Sequence, residues 1–203
     1  IVKGKIIEAV VNDYAEPFEL DSSSIVVAGP GLSVDDMANN LIKKVLTSNC
    51  KAVIDADGLN VISKNRELLK MLHNKVIITP HIKEMSRLTD ISCQDIRENI
   101  VKVAKDFSEK YGCITVIKDA TTVIADYNGN VTVNLSGNSG MSTGGSGDVL
   151  SGIIGGMLSQ ILGIYEAACM GVYLHGLAGD YAKESKSDYG MILQILMMPL
   201  HKS

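Results

Sequence analysis

A chain of 203 residues can hold one large domain around a single core, and 46% apolar with 21% charged residues is the balance of an ordinary globular protein. The formal net charge of -4 argues against nucleic acid or an anionic membrane as the main partner. Nineteen glycines and no tryptophan point to turns built from backbone, not to aromatic stacking platforms. Cys50, Cys93, Cys113 and Cys169 are scattered without a CxxC pair, which reads as reduced, mostly buried thiols and a cytoplasmic location. The start, at Ile1 and without a Met, is too polar for a signal peptide.

The first twenty residues carry two short apolar runs, Ile6–Ile7 and Ala9–Val11, in an undecided pattern. Ser24 to Ala28 is a continuous apolar run stopped by Gly29-Pro30-Gly31, as expected of a buried parallel strand and a turn. Ser33 followed by Asp36 resembles a capping box. Met37, Leu41 and Val45, with Ala38, Ile42 and Leu46, give the helix after it one apolar face. Ala52 to Asp55 is the next buried strand, leaving through Asp55-Ala56-Asp57-Gly58, with a short helix around Arg66 to Leu72. Val76 to Thr79, closed by Pro80, is a third strand, and Lys83 to Leu88 is the helix it feeds. Ser92 and Asp95 cap a longer helix striped by Ile96, Ile100, Val103 and Phe107. Cys113 to Ile117 is a fourth strand ending at Lys118. Thr121 to Ala125 and Asn130 to Asn134 alternate as a β-pair joined at Asn128-Gly129.

Three helices are expected near Asp148–Leu162, Tyr165–Glu184 and Tyr189–Leu196. The apolar run Val149 to Tyr165 is interrupted by serines and glycines and reads as a buried core helix, not a membrane span. The apolar segment Met191–Leu200 suits either the inside of the domain or a partner surface. Strands separated by helices imply right-handed βαβ units, and so an α/β, three-layer αβα sandwich with a mainly parallel sheet. Ligands of such sheets bind beyond the carboxyl ends of the strands. There the sequence places Gly29-Pro30-Gly31, Asp55-Ala56-Asp57, Thr79-Pro80-His81 and Lys118.

The stretch Gly137 to Gly156, GNSGMSTGGSGDVLSGIIGG, carries the strongest chemical signal. Gly144, Gly145 and Gly147 let the backbone turn tightly and aim N–H groups at a ligand. Those groups precede a helix, whose unpaired donors and positive dipole end favour an anion, typically a phosphate. A carboxylate there is repelled by the same phosphate unless it has chemistry to perform, which nominates Asp148 as a catalytic base. The segment has no lysine after its glycines, so it is not a Walker loop, and it is not GxGxxG. Its plain alternative is a loop in which Asp148 stabilises the first helical turn.

Each other feature also has a plain alternative. Gly29-Pro30-Gly31 can be only a turn. Asp55 and Asp57 can cap a helix beginning near Leu59, or one of them can hold Mg²⁺ directly or through water. His81 can be a solvated helix-start residue, Glu84 with Arg87 a surface i, i+3 pair, and Lys118 a strand-end gatekeeper facing solvent. His175, within an apolar helix, fits a hydrogen-bonded core histidine better than a ligand. His73 and His201 carry no signal.

Six blocks taken together resemble one family. They are AGPGL (Ala28–Leu32), DADGLN (Asp55–Asn60), TPHIKEMSRL (Thr79–Leu88), KDATT (Lys118–Thr122), GNSGMSTGGSGD (Gly137–Asp148) and YLHGLAGDYA (Tyr173–Ala182). From about Ser24 to Ala182 the chain resembles the ADP/ATP-dependent NAD(P)H-hydrate dehydratases, of the ribokinase-like superfamily. The resemblance implies a single ribokinase-like domain over residues 1–203 and a metabolite-repair enzyme. Such an enzyme phosphorylates the ring hydroxyl of hydrated NADH or NADPH from ADP or ATP with Mg²⁺, then eliminates phosphate. It implies Asp148 as general base, with Gly145, Ser146 and Gly147 stabilising the transferring phosphoryl group. Lys118, Asp119, Ala120, Thr121 and Thr122, with Asn138, Ser139, Gly140, Met141, Ser142, Thr143, Gly144 and Gly147, would hold the donor nucleotide. Gly31, His81, Glu84, Arg87 and Asp148 would contact the hydrated dinucleotide. The Mg²⁺ ligands are not readable, and a homo-oligomer, commonly a tetramer, is implied.

The sequence departs from the family pattern at Ile82-Lys83, where Pro-Gly is usual, at Asp119, where Gly is usual, and at Ser139 and Ser142, where Pro and Ala are usual. Asp119 sets a negative charge near the expected nucleotide. Nothing matches the family's front glycine-rich βα unit, so the chain is expected either to be a truncated or partly resolved member or to lack that half of the pocket. Two rival functions use the same loop: a ribokinase-like kinase of a sugar or vitamin-precursor hydroxyl, and a nucleotide-binding protein without catalysis.

Overall fold

The computed structural model describes residues 18–160 and 163–185. The runs Ile6–Ile7 and Ala9–Val11, the helix expected over Tyr189–Leu196 and the segment Met191–Leu200 lie outside the described residues. The sheet has six strands in sequence order: β1 (Ile25–Ala28), β2 (Lys51–Ile54), β3 (Val76–Ile78), β4 (Ile114–Ile117), β5 (Thr122–Ala125) and β6 (Val131–Asn134). The first four run parallel, and β5 and β6 add an antiparallel hairpin.

That order dictates the layers. Parallel strands laid down consecutively with right-handed crossovers put every connecting helix on the same face. Accordingly α1 (Asp36–Thr47), α2 (Asp57–Lys64), α3 (Ile82–Thr89), α4 (Cys93–Glu98) and α5 (Ile100–Tyr111) share one core with Ile54, Ile78 and Ile117. The opposite face, Val53, Ile77, Ile114, Val116 and Ile124, would be bare without α6 (Ser146–Gln160) and α7 (Ile164–Ser185). Leu150, Ile154 and Leu158 of α6, with Ala167, Ala168 and Val172 of α7, cover it. The result is the expected three-layer αβα sandwich. No helix among the described residues is long and apolar enough to cross a membrane.

Several local expectations are corrected. α1 is capped not by Ser33 but by Asp35, whose Oδ1 accepts from Ala38 N at 2.8 Å; Ser33 sits at φ 69° and donates to Asp35 instead. The stripe Ile96–Phe107 is two helices, because Asn99 (φ -130°, ψ 31°) breaks the backbone while both segments keep their apolar sides on one core. Ser92 does cap the first of them, accepting from Asp95 N at 3.1 Å. Residues Asp57–Lys64 form a full helix with no side-chain cap, so neither Asp55 nor Asp57 plays that part; Arg66–Met71 is a 3-10 turn.

The turn after β1 is fixed by close approach. Gly29 lies at φ 122°, and a Cβ there would sit 1.8 Å from the carbonyl oxygen of Asp55. Gly29→Ala is therefore expected to cost about 2–4 kcal/mol and lower the Tm by roughly 5–10 °C. Gly152→Ala, on an open helix face with nothing within 4 Å, should be neutral or stabilising. Thermal unfolding of the two variants checks this, and equal Tm values would contradict it.

Candidate functional site

β6 lies at the edge of the sheet opposite β1, and its carboxyl end opens on the same rim as those of the parallel strands. α6 runs toward the other edge, packed on β1 and β2. The loop from Leu135 to Gly145 must therefore cross the strand exits, the side on which such sheets bind ligands. Below it is a buried ion pair. Lys118 Nζ, one residue past β4, donates to Asp55 Oδ1 and Oδ2 at 2.8 and 3.0 Å. Asp55, one residue past β2 and 1% exposed, also accepts from Ser151 Oγ of α6 at 2.8 Å and from Ala56 N at 2.8 Å. A Cβ on Gly147 would lie 3.3 Å from Lys118 Nζ and 3.5 Å from Asp55 Oδ2. Glycine thus lets the first turn of α6 settle directly on the ammonium. Lys118 is not a solvated gatekeeper; its ammonium is held on Asp55 beneath the first turn of α6.

Gly145, at φ 86°, turns the chain into α6. Ser146 is buried and Asp148 is exposed in the first turn of the helix. Ser146 Oγ lies 3.2 Å from Nε2 of His175 on α7. His175 is thus the hydrogen-bonded core histidine expected, and it anchors the loop's exit. Upstream, Gly137 N donates to Asp180 Oδ2 at 2.8 Å, and Asn138 Nδ2 donates to Asp180 Oδ1 at 3.1 Å and to the Gly179 carbonyl at 2.9 Å. Ser139–Met141 form a 3-10 turn capped by Asn138, while Ser142, Thr143 and Gly144 are exposed.

The third strand exit supplies a capping box. His81 Nδ1 accepts from Glu84 N at 3.1 Å and Glu84 Oε2 accepts from His81 N at 2.8 Å, so His81 itself caps α3. Glu84 is buried, and burial raises its pKa against the lowering effect of the His81 N–H and of the His81 and Lys118 charges. Glu84 and Arg87 are not a surface pair, since Arg87 Nη1 donates to Asn60 Oδ1 at 2.7 Å. Lys118 N donates to Pro80 O at 2.8 Å, joining this exit to the next. Gly31, exposed at φ 67°, tops the β1 turn. Asp119 turns outward to Arg97 Nε at 3.3 Å, so its charge is paired. Ala120, Thr121 and Thr122 follow on the approach to β5.

Sequence reasoning missed Ser151, Asn60 and Asp180, and did not pair Asp55 with Lys118. Ser151 lies one helical turn beyond Gly147, which would have put it on the same face; the others depend on contacts between segments far apart in sequence.

Burial lowers the pKa of His175, as does the nearby Lys118 charge, against a raising contribution from Ser146. An imidazole kept neutral when folded costs stability as pH falls below its ordinary value of 6.5, where the unfolded chain takes up a proton more readily. Denaturant unfolding across pH 7 to about 5 should lose more stability in the wild type than in His175→Gln. Equal slopes would contradict the assignment.

A family model described as NAD(P)H-hydrate dehydratase matches residues 2–200. The bifunctional NAD(P)H-hydrate repair enzyme Nnr of Coxiella burnetii is 39% identical over 107 residues, 53% of this chain and 21% of that protein. The enzyme of the same name from Moorella thermoacetica is 37% identical over 129 residues, 62% of this chain and 24% of that protein. The chain thus matches about a fifth to a quarter of the length of these curated relatives. Among solved structures, the ADP/ATP-dependent NAD(P)H-hydrate dehydratase of Bacillus subtilis, co-crystallized with ATP/Mg²⁺ and soaked with CoA, superposes with a TM-score of 0.77 at 28% identity, covering 91% of this chain and 67% of that one. With its αβα sandwich and a family model matched along nearly all its length, the chain belongs to the NAD(P)H-hydrate dehydratase family.

Proposed function

We propose that the protein catalyses nucleotide-dependent dehydration of hydrated NADH or NADPH back to the reduced cofactor, with ADP or ATP as phosphoryl donor. The observation that carries it is the first turn of α6 seated on Lys118, with Asp148 exposed beside it. Amides of Gly145 and Gly147, the Ser146 amide on release from its 3.2 Å bond to the Thr143 carbonyl, and the ammonium of Lys118 complement charge on a transferring phosphoryl group. Asp148 accepts the proton of the ring hydroxyl as that oxygen bonds to phosphorus and the donor's bridging oxygen departs with its electron pair. The phosphorylated carbon then loses phosphate, pushed by the ring nitrogen lone pair. Loss of a proton from the neighbouring carbon restores the double bond.

Lys118–Thr122 and Asn138–Gly147 are assigned to the nucleotide, and Gly31, His81, Glu84, Arg87 and Asp148 to the hydrated dinucleotide. The Arg97 pair removes the objection to a nucleotide near Asp119. Among the described residues no group of three or more His, Cys, Asp or Glu is placed to hold a metal. Mg²⁺ does not need such a group, since it keeps several waters and rides on phosphates with few carboxylates. Asp55 has both oxygens occupied, whereas Asp57 accepts from Ser33 N at 3.0 Å with Oδ2 and has only a 3.4 Å contact from Asn60 Nδ2 at Oδ1, so Asp57 Oδ1 would hold the ion through water. Bound there, the ion would neutralise charge on the donor phosphates. The free thiols of Cys50, Cys93, Cys113 and Cys169 support a reducing, cytoplasmic setting. A homo-oligomer built from a single domain over residues 1–203 completes the proposal.

The assay is recovery of reduced-nicotinamide absorbance from hydrated NADH or NADPH with ADP or ATP and Mg²⁺. Accumulation of a stable phosphorylated product would favour a small-molecule kinase instead. Asp148→Asn should reduce turnover about 10²–10⁴-fold while nucleotide still binds. Unchanged turnover in that variant would remove Asp148 as the base.

A further inference from the structure

The block Tyr173–Ala182 has no task in the chemistry above, yet it touches the glycine loop from end to end. α7 has 22 residues against 15 for its neighbour α6, so it is ~10 Å longer. The loop lies against its last turns. A Cβ on Gly176 would fall 2.2 Å from Ser136 Oγ and 2.7 Å from Ser136 O, and one on Gly179 would fall 2.2 Å from Met141 Sδ. At Gly176 only glycine lets the loop backbone come that close to the helix, whereas at Gly179 the neighbour is the flexible Met141 side chain. On the same helix, Asp180 takes the Gly137 N–H with one oxygen and the Asn138 amide with the other. Asn138 in turn accepts from Gly140 N at 3.1 Å, so the carboxylate fixes the 3-10 turn Ser139–Met141 through one intermediary.

We propose that the end of α7 is the template on which the nucleotide loop takes its shape, and that Asp180 is the positioning residue for the phosphoryl donor. Asp180 acts through Gly137 and Asn138, not on the reacting atoms. Its side chain holds the entry of the loop, and His175 holds the exit through Ser146. The exposed residues Ser142, Thr143 and Gly144 span the interval and are left to close on the donor. The inference rests on the nucleotide-dependent function proposed above.

The test is titration calorimetry of the full chain with MgADP and MgATP, combined with steady-state kinetics, for wild type, Asp180→Ala and Asp180→Asn. Losing two charge-assisted hydrogen bonds should raise the Kd and KM for nucleotide about tenfold in Asp180→Ala. The KM for the hydrated dinucleotide, and kcat at saturating nucleotide, should stay within about twofold, since no transition-state contact is removed. Asp180→Asn keeps one acceptor and the side-chain shape, so it should fall between the two and carries the test should the alanine variant not fold. Unchanged nucleotide affinity in both variants, with wild type binding, would overturn the role of Asp180 alone. So would a loss shared equally by nucleotide and hydrate together with a lower Tm, the signature of a merely structural residue. A wild-type chain that binds neither nucleotide would overturn this inference and the proposed function together.

Discussion

The ion pair between Asp55 and Lys118 is the constraint from which the site follows. It brings together the carboxyl ends of β2 and β4, with β3 between them, and Ser151 extends it to α6. Removing Lys118 would leave the buried Asp55 carboxylate unpaired, a loss of several kcal/mol in comparable buried pairs. A pair of this kind is weak evidence for stability in itself, because desolvation offsets much of the attraction. What it secures is position: an ammonium that cannot swing away, with glycine backbone lying on it.

The rest of the rim follows from chain order. Because β1 to β4 are laid down consecutively, all their crossover helices fall on one face, and the other face is left for α6 and α7. Since α6 packs near β1 while β6 lies at the far edge, the chain must return across the strand exits. That return is the glycine loop. One topological requirement thus covers an apolar face and puts a helix N-terminus over a fixed positive charge. The two effects reinforce each other at the same point in space.

Much of this was legible in the sequence. The apolar runs of the strands, punctuated by Gly, Pro and Asp, located the sheet and its rim, though β1 is a half-exposed edge strand, and the glycine cluster marked the loop that enters α6. Local grammar misled where two signals overlapped. Ser33 looked like a cap because Asp36 stood three residues on, but its left-handed backbone passed the role to Asp35. The stripe through Ile96 and Phe107 looked continuous because two helices turn the same side to one core. Histidine is not a usual cap, so the box made by His81 and Glu84 was not seen in the sequence, where Glu84 read as a surface partner of Arg87. The contacts that organise the site could not be seen at all. Lys118 is 63 residues from Asp55, and Asp180 is 43 from Gly137. No periodicity encodes such distances; they arise only once the strands are parallel and α7 rises beside the loop.

The central claim is that an anion is bound between the first turn of α6 and the Asp55-anchored ammonium. A crystal structure of the chain with Mg²⁺ and a non-hydrolysable nucleotide tests it most directly. The account predicts the terminal phosphate hydrogen-bonded to the amides of Gly145, Ser146 and Gly147, with Lys118 still on Asp55 and the Asp148 carboxylate facing the open side. A nucleotide whose phosphates lie elsewhere, with those amides uncontacted, would contradict it.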